Sequence, residues 1–221
     1  MSNPDVSDPA RLIDGPDDAA ATLLLAHGAG AAMESPFLST IATGLAERGW
    51  RVVRFDFPYM HRSRLSGRRA APDRLPILLE AFRAQVALEG LDRPLLIGGK
   101  SMGGRVASLL VDELAVSTSV CGCLCLGYPF HPPGKPAQLR TEHLSALATP
   151  TLIVQGERDS FGKRSEVELY PLSPQLQLHW IRGGDHSFKP TRASGLTEAG
   201  CLEQAVEASA RFVEQRLAAQ S

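Results

Sequence analysis

Residues 99–103 read GKSMG, which is the spacing Gly-x-Ser-x-Gly. The apolar residues 95–97 precede this segment, and a sequence with helical character follows it. A nucleophile elbow has this strand–turn–helix context, in which a sharp turn exposes the serine and tolerates only small neighbours. The segment therefore predicts Ser101 as a catalytic nucleophile, provided that a base, an acid and oxyanion donors occur elsewhere in the chain.

A serine hydroxyl needs a histidine to accept its proton and an acid to hold that histidine in the correct tautomer. His186 and Asp159 each lie just after a predicted strand, and the chain order is Ser, Asp, His. Loops that follow parallel strands meet at one edge of the sheet, so these residues can converge. Glu157 and Asp185 are alternative acids, although Asp185 is adjacent to the histidine and adjacent side chains usually diverge.

Two backbone N–H groups are predicted to form an oxyanion hole. Met102 follows the serine at the start of a helix, where free N–H groups favour an anion. The second donor is expected in residues 27–32, HGAGAA, whose small side chains allow close approach to a substrate. Ala29 is the predicted donor and Gly30 the alternative. His27 precedes the serine and is interpreted as a structural residue at a strand end.

Strand-like and helix-like segments alternate along the chain, which predicts an α/β fold with a mostly parallel sheet of about six strands. The predicted strands are residues 22–27, 51–55, 94–98, 120–126, 151–155 and 175–181. The predicted helices are residues 36–48, 73–89, 102–114 and 197–219, with a shorter one at 165–170.

The 221 residues fit one domain, predicted as residues 19–221 after an N-terminal extension of residues 1–18. A formal net charge of −1 gives no field that would attract nucleic acid or an anionic membrane. The apolar run at residues 19–26 is far shorter than the ~20 residues that span a bilayer. Residues 1–18 lack the basic start and apolar core of a secretory signal, so a cytoplasmic location is expected.

No metal or other cofactor is predicted. Cys121, Cys123 and Cys125 alternate along a predicted strand and are interpreted as small buried apolar residues on one face. A phosphate-binding loop ending at Lys100 would need glycine at position 94, which is occupied by Pro94.

With these features together, the chain resembles an α/β-hydrolase over about residues 20–218, close to the small predicted hydrolases near the dienelactone hydrolase branch. Residues 26–30, 54–60, 126–136 and 156–159 carry the resemblance besides the elbow. It implies a triad of Ser101, Asp159 and His186 and no cofactor. Dienelactone hydrolases use cysteine where this chain has serine.

The short interval between Ser101 and Asp159 leaves little room for a cap domain, so an open site is expected. Residues 59–69 and 128–140 would then form most of the pocket wall, with four apolar candidates: Tyr59, Met60, Phe130 and Phe161. Lys135, Arg140 and His143 are interpreted as solvated charges rather than as groups that select an acidic substrate.

The sequence thus predicts a serine hydrolase that cleaves small carboxylic esters or thioesters through an acyl-enzyme. A peptidase or acyltransferase with the same triad is an open alternative. So is an interaction module that keeps the fold without turnover. The oligomeric state is not readable from these residues.

Overall fold

The computed structural model describes residues 11–219. A seven-stranded sheet forms its centre, in the order β1-β3-β2-β4-β5-β6-β7. All neighbouring strands are parallel except β1, which is antiparallel to β3. The strands are β1 Arg11–Asp14, β2 Thr22–Ala26, β3 Arg51–Phe55, β4 Leu95–Lys100, β5 Val120–Leu126, β6 Thr151–Gly156 and β7 Leu176–Ile181.

Helices cover both faces of the sheet. They are α1 Pro36–Ala46, α2 Pro58–Ser66, α3 Leu75–Ala87, α4 Met102–Ser117, α5 Arg164–Val167 and α6 Glu198–Ala218. Helices α3 and α4 share one apolar cluster with the sheet, and α1 and α6 share the cluster on the opposite face. Every residue of β2 and β4 is buried, as expected for central strands between two helical layers. The predicted α/β architecture is therefore confirmed.

The sheet has one strand more than the sequence predicted, because β1 lies inside the segment expected to be an extension. Arg11 pairs with Phe55 and Asp14 with Val52 across the β1–β3 ladder. The Arg54 guanidinium on β3 donates to the Asp14 carboxylate at 2.8 Å, which ties the added strand to the edge. Residues 1–10 of the predicted extension lie outside the described residues.

Helix α2 occupies most of residues 59–69, a segment in which the sequence predicted neither a helix nor a strand. Its first residue is Pro58, which suits the first turn of a helix, and Gly67 follows its end in the left-handed conformation. Tyr59 is its only buried residue. Because α2 lacks an amphipathic pattern, the periodicity that reveals the other helices was absent.

Cys121 does not share a face with Cys123 and Cys125, contrary to the sequence interpretation. The register of β5 against β4 shifts between Leu95 and Leu96, which introduces an irregularity at this position. Cys123 and Cys125 are buried on the face of α3 and α4, whereas Cys121 packs against the opposite cluster. A bulge reverses the alternation of side chains that the prediction assumed.

The connections after β2, β4, β6 and β7 lie along the carboxyl edge of the sheet, where open α/β sheets bind ligands. Between β5 and β6, the secondary structure consists of a four-residue 3-10 helix, Glu142–Ser145, so no cap domain covers this edge in the described residues. No helix within residues 11–219 has the length and apolar character needed to cross a membrane.

Candidate active site

Ser101 lies at the sharp turn between β4 and α4. Its φ of 51° and ψ of −111° are an unusual conformation for a residue other than glycine. The Ser101 N–H donates to Leu126 O on β5 at 3.0 Å, which holds the strained backbone in place. A Cβ on Gly103 would lie 2.5 Å from Ala26 O, so the helix can approach β2 this closely only with glycine here.

The side chains of Ser101, His186 and Asp159 form a continuous hydrogen-bonded chain. His186 Nε2 is 2.9 Å from Ser101 Oγ, and His186 Nδ1 is 2.8 Å from Asp159 Oδ2. A proton on Nδ1 is then donated to the carboxylate, which leaves Nε2 free to accept the serine proton. The aromatic ring of Phe161 stacks on the imidazole with ring centroids 4.2 Å apart.

Asp159 is completely buried, and three donors surround its carboxylate. Besides His186, the Phe161 N–H donates to Oδ1 at 2.8 Å and the Gln155 side chain donates to Oδ2 at 2.8 Å. These contacts fix the direction of the carboxylate and compensate for its removal from water. The sequence analysis did not identify Gln155 as a residue that positions Asp159. Its polar side chain near the end of the apolar strand β6 could have indicated such a role.

The two alternative acids serve other contacts. Asp185 Oδ1 accepts the backbone N–H groups of Ser187 and Lys189 at 2.8 and 3.0 Å, which braces the loop that carries His186. Glu157 accepts the Gly183 N–H at 3.0 Å, and this bond, followed by the contact with Arg164, lowers its pKa. Within the described residues, Asp159 is the carboxylate that contacts the imidazole.

The loop after β2 is held from behind by two side chains. His27 Nε2 accepts the Phe57 N–H at 3.0 Å, while Nδ1 lies 2.8 Å from Gly28 O, so the ring is a neutral Nδ1–H tautomer. Burial lowers the pKa of His27 and keeps it in that form. The Tyr59 hydroxyl donates to Ala29 O at 3.2 Å. The carbonyl oxygens of Gly28 and Ala29 are therefore hydrogen-bonded to side chains of the protein.

Ala29 and Met102 line the same cavity as Ser101. Met102 is the first residue of α4, where helix N–H groups have no intrahelical partner. Across residues 11–219, we find no hydrogen bond from the backbone N–H of either Ala29 or Met102 to a protein acceptor. Two free donors therefore flank the serine.

Lys100 precedes the serine and is buried. Its ammonium donates to His186 O at 2.5 Å and lies 5.0 Å from the centre of the Phe37 ring. A Cβ at Gly127 would lie 2.6 Å from Nζ, so glycine provides the space for this contact. Burial lowers the pKa of Lys100 to about 8. Lys100 thus anchors the backbone of the histidine loop.

A cavity of about 370 Å³ opens beside Ser101. Its wall also contains Leu75, Leu78, Val106 and Pro129, and the charged residues Asp73, Arg105 and Arg140. Of the four predicted pocket residues, Phe161 lies in this wall. Tyr59 and Phe130 are fully buried in the core, and Met60 packs against that core, so the structure does not bring these three to the cavity. Tyr59 lies outside the cavity because helix α2 directs the Tyr59 ring inward, where it packs beside His27.

Within residues 11–219, no three His, Cys, Asp or Glu side chains lie close enough together to hold one metal ion.

Comparison with known proteins gives consistent matches. A family model described as an alpha/beta hydrolase domain matches residues 19–214. An alpha-beta serine hydrolase homologue from Coxiella burnetii is 20% identical with a TM-score of 0.67, and the match covers 91% of this chain and 90% of that one.

Two further structures are similar along nearly their whole length. Est1E from Butyrivibrio proteoclasticus, with ferulic acid bound, is 18% identical with a TM-score of 0.69, and 95% of both chains are covered. Dienelactone hydrolase from Anabaena variabilis is 20% identical with a TM-score of 0.64, covering 93% of this chain and 89% of that one. At identities of 18–20%, the similarity to these three structures shows a common fold and nothing about substrate.

Proposed function

Because this chain belongs to the alpha/beta hydrolase family, we propose that it is a serine hydrolase that cleaves small carboxylic esters or thioesters through an acyl-enzyme. One observation carries the proposal. A strained serine at a strand–helix turn lies 2.9 Å from an imidazole nitrogen, and the other nitrogen of that imidazole lies 2.8 Å from a buried carboxylate. This is the arrangement that activates a hydroxyl nucleophile at neutral pH.

In the first half-reaction, Ser101 Oγ attacks the carbonyl carbon while His186 Nε2 takes the hydroxyl proton. The imidazolium formed is stabilised by Asp159, and it then gives the proton to the departing alcohol or thiol. The acyl group remains on Ser101. In the second half-reaction His186 deprotonates a water that attacks the acyl-enzyme, and protonation of Ser101 releases the carboxylic acid.

The negative charge on the former carbonyl oxygen would be stabilised by the backbone N–H groups of Ala29 and Met102. Support comes from their position in the cavity wall beside Ser101 and from the absence of a competing protein acceptor in the described residues. The helix dipole of α4 adds to this stabilisation at Met102. Each such donor typically accounts for about 10²- to 10³-fold in rate. A cytoplasmic location and the organisation as a single domain remain predictions from the sequence, whereas the predicted start of that domain at residue 19 is too late, because β1 at Arg11–Asp14 belongs to its sheet.

The proposal is tested by steady-state hydrolysis of 4-nitrophenyl acetate and of an acetyl thioester. We expect turnover by the wild type, and a loss of about 10⁵-fold or more in kcat for Ser101→Ala and for His186→Ala. Ser117→Ala is the matched control, since Ser117 is an exposed serine at the far end of the same helix. A folded wild type without turnover, or a Ser101→Ala variant with wild-type turnover, would overturn the proposal.

A further inference from the structure

Two arginine side chains line the cavity beside Ser101. Arg105 lies one helical turn after the serine on α4, where its N–H donates to Ser101 O at 3.0 Å. Arg140 belongs to the connection between β5 and β6, and its backbone is fixed on both sides. Its N–H donates to Phe130 O, and its carbonyl oxygen accepts the Tyr128 hydroxyl, both at 2.8 Å. The sequence interpreted Arg140 as a solvated charge, and the structure places this half-buried residue in the cavity wall beside Ser101.

Neither guanidinium is neutralised by the protein. Among residues 11–219, no carboxylate forms an ion pair with Arg105 or Arg140, and the buried Arg105 Nε has no hydrogen-bond partner. Burial, and then repulsion by Arg105, lowers the pKa of Arg140. Two cations that line one partly buried cavity, and that no protein carboxylate pairs with, favour the binding of an anion there.

The neighbouring titratable groups do not supply that anion. Asp73 lies in the same cavity wall, but its Oδ1 is paired with Arg62 at 2.5 Å. Its buried Oδ2 has no hydrogen-bond partner within residues 11–219, Arg105 and Arg140 included. His143 packs behind Arg105 through Ser108, whose hydroxyl lies 2.9 Å from His143 Nε2. Burial and the charge of Arg105 lower the pKa of His143 to about 4, so this imidazole is neutral.

We propose that Arg105 and Arg140 form an anion subsite that binds a carboxylate on the substrate acylating Ser101. The substrate class would be short esters or thioesters whose acyl chain ends in a carboxylate. Guanidinium groups match the geometry of a carboxylate through paired N–H donors. Leu75, Leu78 and Val106 provide apolar contacts for the chain between the carboxylate and the ester. This inference rests on the proposed hydrolase function and specifies its substrate.

The test compares two esters of nearly equal size, 4-nitrophenyl hydrogen glutarate and 4-nitrophenyl methyl glutarate, which differ in the terminal charge. After subtraction of the spontaneous hydrolysis, the wild type should show a higher kcat/KM for the charged ester. Arg105→Gln and Arg140→Gln should each lower the ratio of the two kcat/KM values by about 10- to 100-fold, the range expected for hydrogen bonds between charged groups. Arg105→Lys should restore part of the ratio, because it keeps the charge and loses the paired geometry.

Arg83→Gln is the matched control. Arg83 carries the same charge on α3 but is bound to Glu113 outside the cavity, so its loss should leave the ratio unchanged. Equal kcat/KM values for the two esters, or a ratio that neither arginine affects, would overturn the subsite while the hydrolase function stands. Absence of turnover for both esters, with no acylation of Ser101, would instead overturn the hydrolase function.

Binding to the Ser101→Ala variant separates the subsite from catalysis. In calorimetry, glutarate should bind this variant, and Arg105→Gln in the same background should weaken the binding at least 10-fold. Inorganic phosphate is the second probe. Binding of phosphate without binding of glutarate would overturn the carboxylate assignment in favour of a phosphorylated substrate.

Discussion

Replacement of Asp159 by asparagine should separate the role of the buried carboxylate from that of the fold. The carboxylate accepts from three donors, at 2.8 Å each: His186 Nδ1, the Gln155 side chain and the Phe161 N–H. An asparagine of the same shape offers one oxygen and one NH₂ group to these three donors. Because Asp159 is 0% exposed, water cannot satisfy the donor that is left over.

Two orientations of the new amide are possible, and each loses an interaction. If the amide oxygen faces Phe161, the NH₂ group meets the imidazole, and His186 must present Nδ1 as an acceptor. The proton then lies on Nε2, which points at Ser101 and can no longer accept the serine proton. If the oxygen faces His186 instead, the NH₂ group opposes the Phe161 N–H. The first orientation therefore keeps the hydrogen bond from the Phe161 N–H but leaves His186 in a tautomer that cannot act as the base.

We expect Asp159→Asn to lower kcat by about 10⁴-fold, the size of the tautomer effect in serine proteases. The free energy of unfolding should fall by about 1–3 kcal/mol, because one donor is left buried without an acceptor. The loss is limited to this range because the variant no longer has to bury a charge. Hydrolysis of 4-nitrophenyl acetate and urea unfolding measure the two effects separately.

Asp185→Asn is the control, since its amide oxygen can still accept the two N–H groups that Asp185 Oδ1 now binds. Its kcat should remain within about threefold of the wild type, as is usual for a substitution that keeps its contacts. The reasoning is refuted if Asp159→Asn retains wild-type kcat, or if Asp185→Asn causes the larger loss.

Three further substitutions probe the scaffold, each by urea unfolding. Burial lowers the pKa of Lys100 to about 8, below its unfolded value of 10.5, so the unfolded chain binds more protons between these pH values. We therefore expect the wild type to become more stable relative to Lys100→Met as the pH rises: the difference between their free energies of unfolding should increase by up to about 3 kcal/mol from pH 8 to 10.5. A difference that does not change with pH would contradict this. Gly103→Ala places a Cβ 2.5 Å from Ala26 O, and we expect a loss of about 2 kcal/mol or more, so unchanged stability would disprove the close approach. Gln155→Leu removes the donor 2.8 Å from Asp159 and should cost about 2–4 kcal/mol and lower kcat; an inert substitution would show that this bond orients nothing.

The elements that position the site could be predicted from the sequence because their signals are strong and local. Uninterrupted apolar runs identified β2 and β4, and the Gly-x-Ser-x-Gly spacing located the turn between β4 and α4. Asp159 and His186 were found because each follows a strand that reaches the same edge. The family indicated by these residues is confirmed by the match of residues 19–214.

Other features depend on tertiary packing that no local pattern records. The edge strand β1 is four residues long and lies between the sequences Pro9-Ala10 and Gly15-Pro16, so only its pairing with β3 defines it. The bulge in β5 depends on its register with β4. Tyr59 and Phe130 belong to the two segments that were predicted to form the pocket wall, yet their rings pack into the core. Arg105 and Arg140 are 35 positions apart, and only the folded chain brings them to one cavity wall.

The most direct test of an activated Ser101 is the intact mass of the protein after exposure to a fluorophosphonate probe, which phosphonylates activated serines. We expect the wild type to gain one probe mass, Ser101→Ala to gain none, and His186→Ala to react far more slowly. A folded wild type that stays unlabelled, or a Ser101→Ala variant that labels like the wild type, would contradict the account of this site.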